Sequence, residues 1–158
     1  MDAKVLNRDV TITRIFDAPR QLVFEAWTIP EHIVKWFGPS AFTVPECRVD
    51  LRVGGRWYLV MRANDEVAAF MGRNHPCGGE YVEIVPPERL SFTNNALDAD
   101  GNVILEGLTT VTFEDVGGKT RMTLVTRAKG TGDQVSAMLA GMEQGWSESL
   151  EKLSSYLG

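Results

Sequence analysis

The sequence predicts one α+β domain in which helices cover one face of a curved antiparallel sheet. Two observations support this fold class. Residues 133–157 carry one apolar stripe with helical spacing, whereas much of the chain between residues 41 and 126 alternates apolar and polar side chains as strands do. A helix this apolar needs a broad surface to pack against, and the strands must supply it as a sheet.

The first third of the chain predicts one strand followed by two short helices. Val10–Phe16 alternates apolar residues with threonines and is predicted as a strand, while the polar residues 1–8 are expected to be flexible. Pro19 and Pro30 each stand where a helix begins. The apolar residues expected to pack these two helices are Leu22, Val23, Ala26, Trp27, Ile33, Trp36 and Phe37.

From Ala41 onward the apolar period is two, which predicts a run of antiparallel strands. The phase of alternation slips at Pro45, so a β-bulge or bend is expected there. Residues 75–79 are expected to form a loop, and the Gly117-Gly118 pair a tight hairpin. Further strands are predicted around Trp57–Met61, Val67–Gly72, Val82–Ile84, Leu90–Phe92, Val111–Phe113 and Met122–Thr126.

The C-terminal helix is the dominant element of the predicted fold. Its stripe consists of Val135, Leu139, Met142, Trp146, Leu150, Leu153 and Leu157. No ionisable side chain occurs between Gln134 and Met142, where a surface helix would normally carry several. Ala137, Gly141 and Gly145 lie on the far side, and each glycine costs a helix roughly 1 kcal/mol relative to alanine. These small residues therefore indicate either a close approach or open space, and they motivate the hypothesis of a homodimer.

Composition excludes several classes of function. The 158 residues are 44% hydrophobic and 23% charged, as expected for one globular domain. The net charge of −5, without a basic cluster, argues against nucleic-acid binding. Membrane insertion and a secretory signal are not expected, because no apolar run is long enough. Cys47 and Cys77 lack CxxC spacing and are expected to be reduced in a cytoplasmic protein.

Several motifs together resemble the activator of Hsp90 ATPase homologue 1-like family. They are Thr11-Ile12-Thr13-Arg14, Ala18-Pro19, Trp36-Phe37-Gly38-Pro39, Gly54-Gly55, Gly79-Glu80-Tyr81, Pro86-Pro87-Glu88-Arg89-Leu90 and Gly145-Trp146 with Leu150 and Leu153. That family is part of the START-related helix-grip superfamily (SRPBCC), with the birch-pollen-allergen-like proteins. The resemblance implies a sheet of six to seven antiparallel strands gripping the C-terminal helix, with a cavity between them. It leaves function open.

The ionisable residues form no convincing catalytic or metal-binding motif. His75, Cys77 and Glu80 have no established metal spacing, so no metal or cofactor is expected. Glu80 shares the alternation of Val82 and Ile84, which is taken as the core face. It is either a buried pocket acid or a strand-end residue in solvent.

Three functions from different classes follow from these observations. The favoured one is a START-like binding protein for a hydrophobic small molecule, held between the sheet and the first half of the C-terminal helix. The residues expected to contact this ligand are Trp57, Met61, Phe70, Glu80, Phe92, Met138, Met142 and Trp146. The alternatives are a co-chaperone-type module with a chaperone partner and a polyketide-cyclase-like enzyme. Enzyme activity is the less favoured class, since no nucleophile or acid–base pair is evident.

Overall fold

The computed structural model describes residues 5–157, apart from the side chains of residues 133 and 134. Its strands are β1 (Val5–Phe16), β2 (Phe42–Val49), β3 (Arg56–Ala63), β4 (Asn74–Val85), β5 (Arg89–Thr93), β6 (Asn95–Leu97), β7 (Val103–Val116) and β8 (Lys119–Thr131). Its helices are α1 (Arg20–Thr28), α2 (Pro30–Ile33), α3 (Asp65–Met71) and α4 (Asp133–Leu157).

The strands form one antiparallel sheet in the order β1-β8-β7-β5-β4-β3-β2, and the short β6 pairs with β4 and β7 beside this path. The α+β helix-grip prediction is confirmed, including the long helix over residues 133–157. The predicted irregularity at Pro45 is also confirmed, because the pairing of β2 with β3 shifts register between Thr43 and Glu46.

The apolar side chains of the sheet and helices form two clusters. The larger one joins the sheet to α1, α2 and the second half of α4, which contributes Trp146, Leu150 and Leu153. The smaller one holds Val135 and Leu139 of α4. The predicted apolar stripe is therefore the packing face of α4.

Two predictions about the first strand and first helix need correction. β1 begins at Val5, because β8 extends far enough to pair with it from Thr131 onward. The expectation that residues 1–8 are flexible is thus wrong for 5–8, and residues 1–4 lie outside the described part. In α1, Leu22 is exposed and Phe24 is buried in its place.

The strand predicted at Val67–Gly72 is wrong, because this segment lies in the helix α3 and its C-cap. The Asn64 side chain accepts a hydrogen bond from the Val67 N–H at 2.9 Å and so caps the first turn. Asp65 and Glu66 follow, where acidic residues favour a helix start. None of the seven residues of α3 is buried.

The loop predicted at residues 75–79 is also wrong, since these residues lie inside β4 and pair with β3. Gly79 is required there by close approach: a Cβ at this position would lie 1.9 Å from the Thr93 main-chain oxygen. The predicted core face of β4 is wrong at Val82 but not at Ile84, which packs against the larger cluster. Tyr81 is buried and Val82 is exposed, and the pairing of β4 with β5 shifts register between Tyr81 and Glu83.

Candidate functional site

The long helix α4 is anchored at both ends, and Met142 lies between the two anchors. Val135 and Leu139 pack with Ala128 in the smaller cluster, and Met142 contacts both clusters. Arg8 of β1 adds a polar anchor by donating to the Leu139 main-chain oxygen at 2.8 Å. The first half of α4 is thereby held against β1 and β8.

An open groove of about 1170 Å³ lies between α3, the sheet and the first half of α4. Most of the side chains along it are apolar and come from seven different elements. They include Val60, Phe70, Met71, Leu97, Ile104 and Met138. Phe70 is 74% exposed, so the wall that α3 contributes has no protein cover. The groove is large enough for a small organic ligand.

The two glycines of α4 have different surroundings. One lies beside open space and the other is closely approached by another part of the chain, which are the two situations expected from the sequence. Gly141 lines the groove, and a Cβ placed on it would have no atom within 4 Å. Gly145 instead receives Pro39, whose Cγ would lie 3.5 Å from such a Cβ. The small residues of α4 therefore leave space at one turn and admit a loop of the same chain at the next.

The ionisable residues that line the groove include two acids, Glu46 and Asp98, and His75. Glu46 forms an ion pair with the exposed Arg48. Asp98 accepts hydrogen bonds from the backbone N–H groups of Asn102 and Asp100 at 2.8 and 2.9 Å. These bonds, that from Asn102 first, lower the pKa of the Asp98 carboxyl below its usual range.

A second, much smaller cavity lies inside the main core between α1, α2 and the sheet. Its volume is about 20 Å³, which is room for about one water molecule. Its walls include the aromatic rings of Trp27, Trp36, Phe37, Trp57, Tyr81 and Phe92. Trp57 and Phe92, two of the residues expected to contact a ligand, pack here against each other and against Phe37 and Trp27.

The indole N–H groups around this cavity differ in their hydrogen bonding. Trp36 donates to the Ala26 main-chain oxygen and Trp57 to that of Thr93, both at 2.9 Å. The Nε1 of Trp27 is buried and has no acceptor among the residues that the structure describes. Burying an N–H without a partner costs free energy, so Trp27 is a less favourable core residue than Trp36 in this respect.

The other polar groups of this cavity are held in their neutral forms. Burial raises the pKa of the Cys47 thiol to about 11, and burial also raises the pKa of the Tyr81 phenol. Both side chains line the cavity. Neither one is suited to act as a base or nucleophile at neutral pH.

The structure divides the eight predicted ligand contacts between several places. Phe70 and Met138 line the groove, whereas Trp57 and Phe92 line the aromatic cavity. The remaining apolar three, Met61, Met142 and Trp146, belong to or pack against the main core cluster. Glu80 is exposed, which agrees with the alternative of a residue in solvent and excludes a buried pocket acid. Among the described residues, no group of His, Cys, Asp or Glu is arranged to hold a metal ion.

Sequence analysis missed most of the sheet side of the groove. Val60, Leu97 and Ile104 come from β3, β6 and β7, which meet here only because β6 pairs with β4 and β7. For the wall formed by α3, the sequence does contain one signal. It is the Asn64-Asp65-Glu66 run, which can cap a helix as well as form a turn. Taken as a cap, it would have placed Phe70 on a helix.

None of the helices within residues 5–157 combines the length and apolarity needed to cross a membrane.

No curated protein sequence matches this chain. Solved structures are similar to it over nearly their full lengths. A protein from Chromobacterium violaceum is 28% identical, with 94% of this chain and 96% of that chain covered and a TM-score of 0.76. A protein from Rhizobium leguminosarum is 26% identical, with 99% and 98% covered and a TM-score of 0.78.

An AHSA1 protein from Silicibacter pomeroyi is 27% identical, with 95% of this chain and 97% of that chain covered and a TM-score of 0.73. The family model described as "Activator of Hsp90 ATPase homolog 1-like protein" matches residues 17–158. Because this match spans most of the sequence and agrees with the motifs and the fold, the chain belongs to the activator of Hsp90 ATPase homologue 1-like family.

Proposed function

We propose that this protein binds a hydrophobic small molecule in the groove between α3, the sheet and the first half of α4. The observation that carries the proposal is the open space beside Gly141, on a helix that is anchored by packing at both ends. A helix that needed only stability would carry a larger side chain there, since glycine costs about 1 kcal/mol relative to alanine.

Exposed apolar side chains on α3 give the ligand a source of binding energy. Phe70 and Met71 are 74% and 54% exposed, and both line the groove. Covering one large apolar side chain completely is worth about 1.5–3 kcal/mol. An apolar ligand lying in the groove would cover both residues and so gain part of this energy.

Methionines on opposite walls suit a ligand of irregular shape. Met71 of α3 and Met138 of α4 both line the groove. The methionine side chain is unbranched and polarizable, so it adapts to different apolar surfaces. These features favour binding over catalysis, and they favour a range of related ligands over a single rigid one.

A pair of variants at Gly141 tests this proposal. Gly141→Trp should place a large side chain in the groove beside α4, whereas Gly141→Ala adds one methyl group and serves as the matched control. Both should retain the fold, because the position is helical and open. Binding of the neutral dye N-phenyl-1-naphthylamine is measured by fluorescence titration, and thermal unfolding confirms that each variant is folded.

We expect saturable dye binding by the wild type and by Gly141→Ala, and at least about tenfold weaker binding by Gly141→Trp, which corresponds to about 1.4 kcal/mol. Equal binding by the two variants would contradict the groove as the site. Failure of the wild type to bind any apolar probe would contradict the function and leave a chaperone partner as the alternative.

A further inference from the structure

We infer that the free edge of β1 is the surface on which a second copy of this chain docks, so that two sheets join edge to edge across a two-fold axis. Among the described residues that line the groove, none belongs to β1. The proposed function therefore neither requires nor excludes this dimer. The dimer also uses a different surface from the small residues of α4.

The strand β1 is a long edge strand with open hydrogen-bonding positions. It stands at one end of the strand order, and its twelve residues pair with β8 alone. In an antiparallel pair, every second residue directs its N–H and C=O away from the neighbouring strand. Within residues 5–157, no backbone hydrogen bond joins β1 to an element other than β8. Half of the strand therefore offers donors and acceptors to a further strand.

The two edges of the sheet differ in their protection against such pairing. The strand β2, at the opposite end of the sheet, contains Pro45 and a register shift between Thr43 and Glu46. Proline lacks the donor and a bulge bends the strand, and both features oppose edge-to-edge pairing. In contrast, β1 has no proline, glycine or lysine, and its register with β8 is continuous over its whole length. The unprotected edge is therefore β1.

The side chains of β1 leave its edge accessible. Its odd-numbered residues are exposed on the outer face of the sheet, whereas its even-numbered residues face the core and α4. Inward-facing charges oppose edge pairing in other proteins, but both arginines of this row are engaged within the chain. Arg8 donates to the Leu139 main-chain oxygen at 2.8 Å, and Arg14 donates to that of Thr13 at 3.2 Å.

The charges of β1 select one register for pairing with a second copy. A two-fold axis perpendicular to the sheet keeps the outer rows of both copies on the same face, so odd-numbered residues lie opposite odd-numbered ones. The two longest registers pair residues 5–15 or residues 6–16 of each copy. The second places Arg8 opposite Arg14, and like charges directly opposite each other are destabilising. In the first, no charged residue lies opposite another.

The register over residues 5–15 also matches the exposed apolar residues of the outer row. Val5 and Ile15 are 56% and 52% exposed, and they lie at opposite ends of β1. In this register each Val5 lies opposite Ile15 of the other copy, so the two residues cover each other at both ends. Asp9 lies opposite the hydroxyl of Thr11. The strand is thus complementary to its own reversed copy, which favours a second copy over a strand of another protein.

Two charge variants at Thr11 test the dimer and its register. Thr11→Asp places a carboxylate opposite Asp9 of the other copy, whereas Thr11→Lys places an ammonium group there. Sedimentation velocity over a wide range of concentration measures the dissociation constant, and thermal unfolding confirms that each variant is folded. We expect the wild type to approach twice the chain mass of 17.5 kDa. We expect Thr11→Asp to dissociate at least about tenfold more readily than Thr11→Lys at low salt, and this ratio should shrink as salt is raised.

Disulfide formation between two different variants provides a second measurement. Asn7→Cys and Thr13→Cys are made in separate chains and mixed under oxidising conditions. In the register over residues 5–15 these positions lie opposite each other, within the distance that a disulfide spans. We expect the mixture to form a covalent dimer with one chain of each variant. Each variant alone should form little, because the same position in the two copies is then several residues apart.

The outcomes separate this interface from other possibilities. A monomer mass at every concentration would overturn the dimer. A dimer with equal dissociation constants for Thr11→Asp and Thr11→Lys would place the contact away from this edge or in another register, and would overturn the assignment. A mixture of Asn7→Cys and Thr13→Cys that forms no more covalent dimer than either variant alone would overturn it as well. Binding of dye in the groove is independent of each result.

Discussion

Trp27 and Trp36 pack with their ring centroids 4.7 Å apart, yet only Trp36 has a partner for its indole N–H among the described residues. That partner is the main-chain oxygen of Ala26 in α1. Four residues later stands Pro30, which has no N–H to complete the helical hydrogen bond. The Trp36 side chain therefore satisfies a carbonyl that the start of α2 leaves open.

This relationship predicts different costs for two similar substitutions. Trp36→Phe and Trp27→Phe both remove buried volume, but Trp36→Phe also leaves the Ala26 oxygen unpaired. We expect Trp36→Phe to lower the free energy of unfolding by about 1–3 kcal/mol more than Trp27→Phe does. Urea unfolding of the two variants measures the difference. Equal losses, or a larger loss for Trp27→Phe, would contradict the assignment.

The side chain of Phe70 should matter for binding and not for stability. Because Phe70 is 74% exposed on α3, Phe70→Ser should change the free energy of unfolding by less than about 0.5 kcal/mol. The same variant should weaken binding of N-phenyl-1-naphthylamine, because it removes part of the groove wall. Phe92→Ala is the contrasting control, since this buried residue should cost about 3–5 kcal/mol. A large loss of stability in Phe70→Ser would show that α3 packs more closely than described.

Glu148 is expected to give the stability a measurable dependence on pH. Its pKa lies below the usual range because Gln144 donates to it, together with the N–H and hydroxyl of Ser40. A lowered folded-state pKa contributes stability that is present above the unfolded value of about 4.3 and is lost as pH falls through the folded value. The group is mostly exposed, so this contribution should stay below about 1 kcal/mol.

Glu148→Gln tests this pH dependence, because glutamine keeps an acceptor for Ser40 and loses the charge together with the acceptor for Gln144. Wild type should be slightly more stable than the variant at pH 7, and the two should converge as the pH falls below about 4. Thermal unfolding across this range measures the difference. A gap that stays constant with pH would contradict the role of the charge.

The two cysteines should be unreactive in the folded protein. Burial raises the pKa of Cys47 to about 11 and that of Cys77 to about 12, so neither is a thiolate at pH 7–8. Both thiols should react with Ellman's reagent much more slowly in the folded protein than after unfolding, and in the folded protein Cys47 should react before Cys77 because it is less buried. Rapid modification of the native protein would contradict the buried position of this face of β2 and β4.

The sequence predicted more of the fold than of the candidate site, and individual residues show why. The stripe of α4 and the slip at Pro45 follow from spacing along the chain, which local sequence records directly. The face of Glu80 could not be predicted, because the register shift between Tyr81 and Glu83 depends on pairing with β5. The Asn64 cap was ambiguous, because the same residue types open helices and form turns.

For the site, the sequence indicated Met138 on α4 and Phe70 opposite it, but not the strand residues of the groove. Met138 lies in the charge-free start of α4 and lines the groove. The opposite wall depends on Val60, Leu97 and Ile104, which are far apart in sequence and are brought together by the sheet. Trp57 and Phe92 have the composition of a ligand site, but they fill the core instead.

Whether an apolar ligand occupies the groove is tested directly by mapping dodecanol binding by NMR on uniformly labelled protein. We expect the amide resonances of Met138, Gly141 and Phe70 to shift with saturation. The indole N–H resonances of Trp27, Trp36 and Trp57 should stay unchanged. Shifts of those indole resonances without shifts around Gly141 would contradict binding in the groove, since the ligand would then enter the aromatic core.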